Sequence, residues 1–261
     1  MLGGLLGKEL WGDCSEYYKL SERINTSFDG QFEDISTLRW FPWVGKDFNP
    51  KQDMMVVCES HYSSKPTLRE IDIELESFLD DRHATRKIVA EHFVHQQSSN
   101  PTFDNVQKVL VGGVLWRNTY DTNSWERLWR TLAFMDVVQR PMKFLRGKLN
   151  ERPTWEDFRN GTIALLSVIR ILKPRLCLVG STTAIGYMKD LASEMNMNVE
   201  EESELRVGRY RAFHFTLAFD GCRTTIRSTK QPGSYYSWSK WRDYVFNGYE
   251  DLQIKLSNAL R

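Results

Sequence analysis

Met54-Met55-Val56-Val57-Cys58-Glu59-Ser60-His61-Tyr62 runs through five apolar residues and then, without a spacer, into a carboxylate, a hydroxyl, an imidazole and a phenol. A run so short and so continuously apolar reads as a strand buried on both faces. Two further runs share its form. Leu132 to Val138 closes on Gln139-Arg140-Pro141, and Leu176-Cys177-Leu178-Val179 passes into Gly180-Ser181-Thr182-Thr183. Helical patterns fill the spaces between them, over 67–80, 83–97, 104–116 and 124–131. A longer helix starts at Thr154, where Asp157 completes a capping-box variant, and stops at Lys173-Pro174. Another begins after Ser181. Residues 213–219 and 222–228 read as strands joined by the Asp220-Gly221 turn, and 238–258 as a closing helix. Short apolar strands alternating with helices predict an α/β protein. The expected form is a three-layer αβα sandwich with a short, mainly parallel central sheet. We expect a single domain over 1–261, with 1–37 as an N-terminal helical extension that includes a helix over 8–24.

Composition narrows the function classes. The chain has 261 residues, 41% of them hydrophobic and 26% charged, which suits a sizeable core and argues against disorder. Its net charge of +1 excludes a globally basic nucleic-acid coat protein, so any polyanion contact must come from local patches. Cys14, Cys58, Cys177 and Cys222 show no CxxC spacing, so no metal or iron–sulfur site is expected. Buried, reduced cysteines fit an intracellular protein, cytoplasmic or, in a eukaryote, nuclear. No stretch approaches the ~20 apolar residues of a membrane span, and the N-terminus lacks the features of a signal peptide.

In a parallel sheet covered on both faces, ligands bind beyond the carboxyl ends of the strands. That rule accounts for the chemistry crowded after Cys58. It directs attention to four places: Glu59–Tyr62, Asp136–Arg140, Gly180–Thr183 and Thr229–Ser237. Local charge points to a polyanion, with five Lys/Arg and no acid from Cys222 to Arg242. Tyr235, Tyr236 and Trp238 interleave with those cations, a pattern suited to stacking and phosphate contact. Glu200, Glu201, Glu202 and Glu204 read as a solvated acidic loop.

Order and spacing of these strand ends resemble the uracil-DNA glycosylase superfamily over about residues 38–246. The likeness is carried by Trp40-Phe41-Pro42-Trp43-Val44-Gly45, Glu59-Ser60-His61-Tyr62, Val138-Gln139-Arg140-Pro141 and Tyr236-Ser237-Trp238-Ser239-Lys240-Trp241. A poorly characterised branch of that superfamily shares these features. The resemblance implies DNA, single- or double-stranded, as partner, no cofactor and a monomer. Glu59 and Ser60 take the places of Gln and Asp in the family motif Gly-Gln-Asp-Pro-Tyr, and Tyr62 matches the tyrosine that walls the base. Asp136 stands where the iron–sulfur branch has an asparagine that pairs with uracil, and Gln231 where the last motif has histidine.

Cleavage of an N-glycosidic bond leaves positive charge on the sugar and negative charge on the departing base. Glu59, Ser60, His61 and Gln231 are therefore the candidate catalytic residues. Tyr62 and Asp136 would hold the base, and Arg140, Ser181, Lys230, Ser234 and Tyr236 the DNA. An ionised Asp136 only accepts hydrogen bonds. It would match a modified or amine-bearing base edge better than uracil's O4, unless it stays protonated. Simpler roles stand beside these. Glu59 could tie down its loop, Asp136 could pair with Arg140, and Ser181 could only cap its helix. Two other functions are consistent with the residues: a non-catalytic nucleic-acid or nucleotide binding protein, and a small-molecule hydrolase using Ser60 and His61.

Overall fold

The computed structural model describes residues 20–63, 67–94, 101–112, 122–145, 148–233 and 236–260. Two short helices come first, α1 (Leu20–Arg23) and α2 (Asp29–Glu33). They are built into the core, where Phe32 packs against Phe41 with ring centroids 6.0 Å apart. Strands β1 (Trp43–Val44), β2 (Met54–Cys58) and β3 (Tyr62–Ser63) precede α3 (Leu68–Leu79) and α4 (Ala84–Val89), which continues as a π-helical turn over Ala90–Val94. Helices α5 (Pro101–Val111) and α6 (Thr122–Trp129) lead to β4 (Ala133–Asp136), β5 (Met142–Leu145) and β6 (Leu149–Asn150). Helix α7 (Trp155–Leu172), β7 (Leu176–Val179) and α8 (Thr182–Glu194) follow. The chain then forms β8 (Asn198–Val207), β9 (Tyr210–Phe219), β10 (Cys222–Ser228), α9 (Trp238–Phe246) and α10 (Glu250–Ala259).

The main sheet has the order β1-β4-β2-β7-β10-β9-β8, and β3, β5 and β6 form a small second sheet. Every residue of β2 is buried, and alternate side chains enter opposite layers. Met54, Val56 and Cys58 pack with residues of α4, α5, α6, α9 and α10. Met55 and Val57 pack with α7 and α8. Helices thus cover both faces, as a three-layer α/β arrangement requires.

The expectation of a mainly parallel sheet needs correction. The four inner strands β4, β2, β7 and β10 are parallel, but β1, β9 and β8 are added antiparallel, so the sheet is mixed. The supposed acidic loop is strand β8. Its glutamates hid the periodicity because an edge strand keeps its side chains in water and draws its stability from backbone pairing with β9. Glu200 pairs with Arg223, Glu202 with Lys189 and Glu204 with Arg211. The Asp220-Gly221 turn forms as expected, with positive φ at both residues (46° and 68°). The closing helix is broken at Asn247-Gly248, where Gly248 has φ 78°. The expected helix over 8–24 lies outside the described residues up to 19, as do the ends of those over 83–97 and 104–116 beyond 94 and 112.

Helix α7 positions the end of β4. Thr154 and Asp157 form the capping box at its start, and a left-handed Lys173 (φ 49°) ends it before Pro174. Gly161 lies so close to the strand that a Cβ there would sit 1.9 Å from the Val137 carbonyl oxygen. Only glycine permits this approach.

Candidate functional site

The register aligns the four parallel strands at their carboxyl ends. Cys58 stands opposite Asp136, Val57 opposite Val179, and Ser228 opposite Val179 on its other side. From β4 the chain crosses through α7 and lands on the far side of β2. The order therefore reverses between β2 and β7, the place where α/β sheets bind their ligands.

Glu59 leaves β2 at that reversal. Ser181 donates its hydroxyl to Glu59 Oε2 at 2.9 Å. Ser181 Oγ also accepts from the Ala184 N–H at 3.3 Å and caps α8. One serine thus fixes both a helix start and a carboxylate, and the positive end of the helix dipole faces the anion. The loop backbone is pinned as well. The Val138 N–H donates to the Glu59 carbonyl and the Met142 N–H to the His61 carbonyl, each at 2.9 Å.

Asp136 is 3% exposed, and among the described residues no hydrogen bond reaches its carboxyl group. Burial first, then the nearby Glu59 charge, push its pKa up to about 7. The neighbouring Cys58 thiol is raised well above its ordinary value by burial, then by Asp136 and Glu59, so it is an inert core group. Gln139 clamps the segment from below. Its Nε2 donates to the Asp136 carbonyl at 2.6 Å, and its Oε1 accepts from the Trp40 N–H at 3.0 Å. Trp40 in turn donates its indole N–H to the Phe78 carbonyl at 3.0 Å. The tryptophan loop is therefore core packing that anchors this sheet edge. Gln139 also lines an open groove of about 640 Å³, with Thr37, Arg39, Arg82 and Asn160.

Beyond β10 the chain folds over this sheet edge. The Thr229 N–H donates to the Val179 carbonyl at 2.8 Å, and Pro232 packs on Gly180, where a Cβ would lie 2.9 Å from Pro232 Cδ. Asn105 on α5 holds the turn, donating to the Gly233 carbonyl at 2.9 Å. Tyr236 is 8% exposed, stacks on Trp241 (5.9 Å, 14°) and shares the core layer of Cys58. Its pKa is raised, by burial foremost. Among the described residues, four buried polar atoms at this edge have no hydrogen-bond partner: Ser60 Oγ, Thr229 Oγ1, Gln231 Oε1 and the Tyr236 hydroxyl. The Tyr236 hydroxyl does face Thr229, near enough to feel it, but without a bond of normal geometry. Buried polar groups normally pair, so four orphans at one sheet edge suit a polar occupant.

Of the residues expected from sequence, Glu59, Ser60, Asp136, Ser181, Gln231 and Tyr236 come to this edge. Ser60 and His61 form no dyad, because the Ser60 hydroxyl has no hydrogen bond among the described residues; the His61 ring meets Phe78 edge-on at 5.4 Å. Tyr62 is half-buried in β3, paired with Met142. Arg140 does not pair with Asp136. Its three nitrogens engage Asp157 (2.8 and 2.8 Å) and Glu151 (2.6 Å), which raise its pKa. It ties the end of β4 to the start of α7. Lys230 lies 5.0 Å over the Tyr210 ring. Ser234 lies outside the described residues. Thr229 and Gln139 lie in two of the strand-end segments marked from sequence, but sequence assigns neither a role. A threonine ending a β-run and a glutamine in a loop carry no periodic signal, and only the sheet register gives them meaning.

Among the described residues, no group of three or more His, Cys, Asp or Glu is placed to hold a metal ion. No helix there is long and apolar enough to cross a membrane. Fold and site together define an α/β protein with a cluster of buried polar groups at the reversal of its strand order. Compared with known proteins, the chain matches no family model and no curated sequence.

Proposed function

We propose that a crevice at this edge receives a flipped nucleobase of DNA and hydrolyses its N-glycosidic bond, on a scaffold akin to the uracil-DNA glycosylases. The observation that carries this is a pair of carboxylates in opposite settings: Glu59 is half-buried and held by Ser181, whereas Asp136 is buried and unbonded. Two carboxyl groups in different environments can take different roles. Glu59 orients a water towards C1′ and stabilises the positive sugar. The C1′–N bond breaks with its electron pair leaving on the base. The water oxygen bonds to C1′ and its proton passes to Glu59. The Gln231 amide and the hydroxyls of Thr229 and Tyr236 meet the departing base, and Tyr62 walls the entrance.

Asp136 reads the base edge. With a pKa of about 7 it donates a hydrogen bond below neutrality and accepts one above. A carbonyl edge suits the protonated form, and an exocyclic amine suits the ionised form. The test is incubation with oligonucleotides bearing a panel of uracil, modified and amine-bearing bases, followed by detection of abasic sites. Release that disappears in Glu59→Ala supports the enzyme; absence of release and of binding across the panel refutes it. The orphaned Ser60 hydroxyl favours a second function, a binding protein without chemistry, since it stands in the aspartate's place with no group to activate it. Binding without release would select that function.

A further inference from the structure

We propose that the tip of the β8–β9 hairpin grips the phosphate backbone of the strand whose base enters the crevice. We rest this on the base-binding function proposed above. Three of the five cations in the basic stretch after Cys222, which sequence marks as the polyanion contact, are engaged by other parts of the protein. Arg227 donates to the carbonyls of Val245 (3.0 Å) and Asn247 (2.6 Å), and Arg242 to those of Val109 (2.7 Å) and Leu110 (2.6 Å). Arg223 is paired with Glu200 and Glu201. A polyanion needs other cations.

The hairpin, with Lys240 of α9 beside it, supplies them. Strand β9 runs antiparallel to β10 with His214 opposite Arg227, so the start of β9 lies beside the end of β10. Val207 pairs with Tyr210 across the tip. The tip therefore extends the same edge that carries Glu59, Asp136 and Thr229. Arg206, Arg209 and Lys240 form no ion pair among the described residues, whereas Arg211 is neutralised by Glu204. Lys240 lies against the turn, its Nζ 3.9 Å from where a Gly208 side chain would begin. Arg206 and Lys240 line one shallow groove of about 500 Å³, whose single carboxylate among its lining residues is Asp243. Two cations converge on the ring of Tyr210: the Arg209 guanidinium at 5.2 Å and Lys230 Nζ at 5.0 Å. Arg209 also donates to the Tyr210 hydroxyl at 3.0 Å.

This patch joins the crevice through stacked rings. Tyr210 meets Trp241 at 6.3 Å, and Trp241 stacks on Tyr236 at 5.9 Å, beside Thr229. Cations interleaved with aromatics along an edge suit a nucleic-acid strand, with phosphates outside and a base inside. Like charges gathered at an exposed tip repel one another unless a polyanion neutralises them.

The experiment measures binding of the wild-type protein and of Arg206→Ala/Arg209→Ala/Lys240→Ala to a fluorescent oligonucleotide across a salt series. Each lost phosphate contact lowers the slope of log affinity against log salt by about 0.7–0.9. The triple variant should lose a slope of about 2–3 and at least ~10-fold in affinity at low salt. A folding control is circular dichroism of both proteins, and Arg206→Lys/Arg209→Lys should retain most of the slope. Wild-type binding with an unchanged slope in the triple variant overturns the hairpin surface but leaves the crevice function standing. A wild-type protein that neither binds DNA nor releases a base overturns both. Retention by anionic phospholipid vesicles in place of DNA also overturns the proposal.

Discussion

The Ser181 hydroxyl, 2.9 Å from Glu59 Oε2, joins the first and third parallel strands across the point where the strand order reverses. It caps α8 with the same oxygen. Replacement by alanine should therefore have two effects. Loss of the cap lowers stability by about 1 kcal/mol. Release of Glu59 from its partner lowers base excision by about ten-fold or more, because a positioned carboxylate becomes a mobile one. Thermal unfolding and single-turnover base release separate the two. Ser181→Thr keeps the hydroxyl and should recover most of both.

Asp136 governs the pH dependence. Its folded pKa, about 7, lies above the ordinary carboxylate value of 3.8. The folded state therefore holds the proton more tightly than the unfolded state. Stability from this group is fully present below about pH 4 and falls as pH rises through 7, by about 1.4 kcal/mol for each unit of difference. Asp136→Asn removes the titration. Its melting temperature should exceed that of the wild type at pH 8, and the gap should shrink at pH 5. Equal gaps at both pH values would refute the buried, titrating carboxyl.

The same titration should change base preference. Wild-type protein should favour a carbonyl-edged base below neutrality and an amine-edged base above it. Asp136→Asn, whose amide both donates and accepts, should show a ratio that does not vary between pH 6 and pH 8.5. Competition between two labelled oligonucleotides measures it.

Tyr236→Phe separates stability from ligand contact. Its hydroxyl is buried without a hydrogen bond, so removing it relieves an unsatisfied group. The variant should melt at the same temperature or higher, with the Trp241 stack intact. Base binding should weaken by about ten-fold, the value of one hydrogen bond of ~1.4 kcal/mol. A large loss of stability would mean that the hydroxyl has a structural partner.

Gly161→Ala tests how α7 places the site. The added Cβ would meet the Val137 carbonyl at 1.9 Å, against backbone that cannot swing aside. We expect a loss of at least ~2 kcal/mol. Base release should fall too, since Val137 directly follows Asp136. Gly186→Ala, in open space on α8, is the control and should be neutral or slightly stabilising.

Much of the inner fold was legible in the chain itself. Strand β2 was legible with both of its ends because a continuous apolar run has one stable location, between two layers of helix, and β10 because the Asp220-Gly221 turn sets where it begins. The long α7 was read from Thr154 to Lys173 because caps are local: a threonine, a carboxylate three residues on and a proline at the exit act through nearest neighbours. The edge strand β8 was not legible, since its side chains obey the solvent and its strand character comes from hydrogen bonds to β9. Nor was the use of arginines. Arg140, Arg227 and Arg242 look alike in sequence, yet one binds carboxylates and two bind helix-end carbonyls.

By itself, then, the amino-acid sequence determined which segments must be buried, and that Glu59, Asp136, Ser181 and Gln231 lie at or just beyond strand ends. Apolar burial and local capping act over a few residues, so the chain order is enough to express them. The tertiary structure alone decided which of those residues share an edge and what each side chain meets there. Register sets Cys58 beside Asp136, desolvation lifts the carboxyl to about 7, and the antiparallel turn of β9 brings Arg206 and Arg209 to the same edge. Those outcomes depend on contacts between residues far apart in the chain, whose energies do not exist until the sheet has formed.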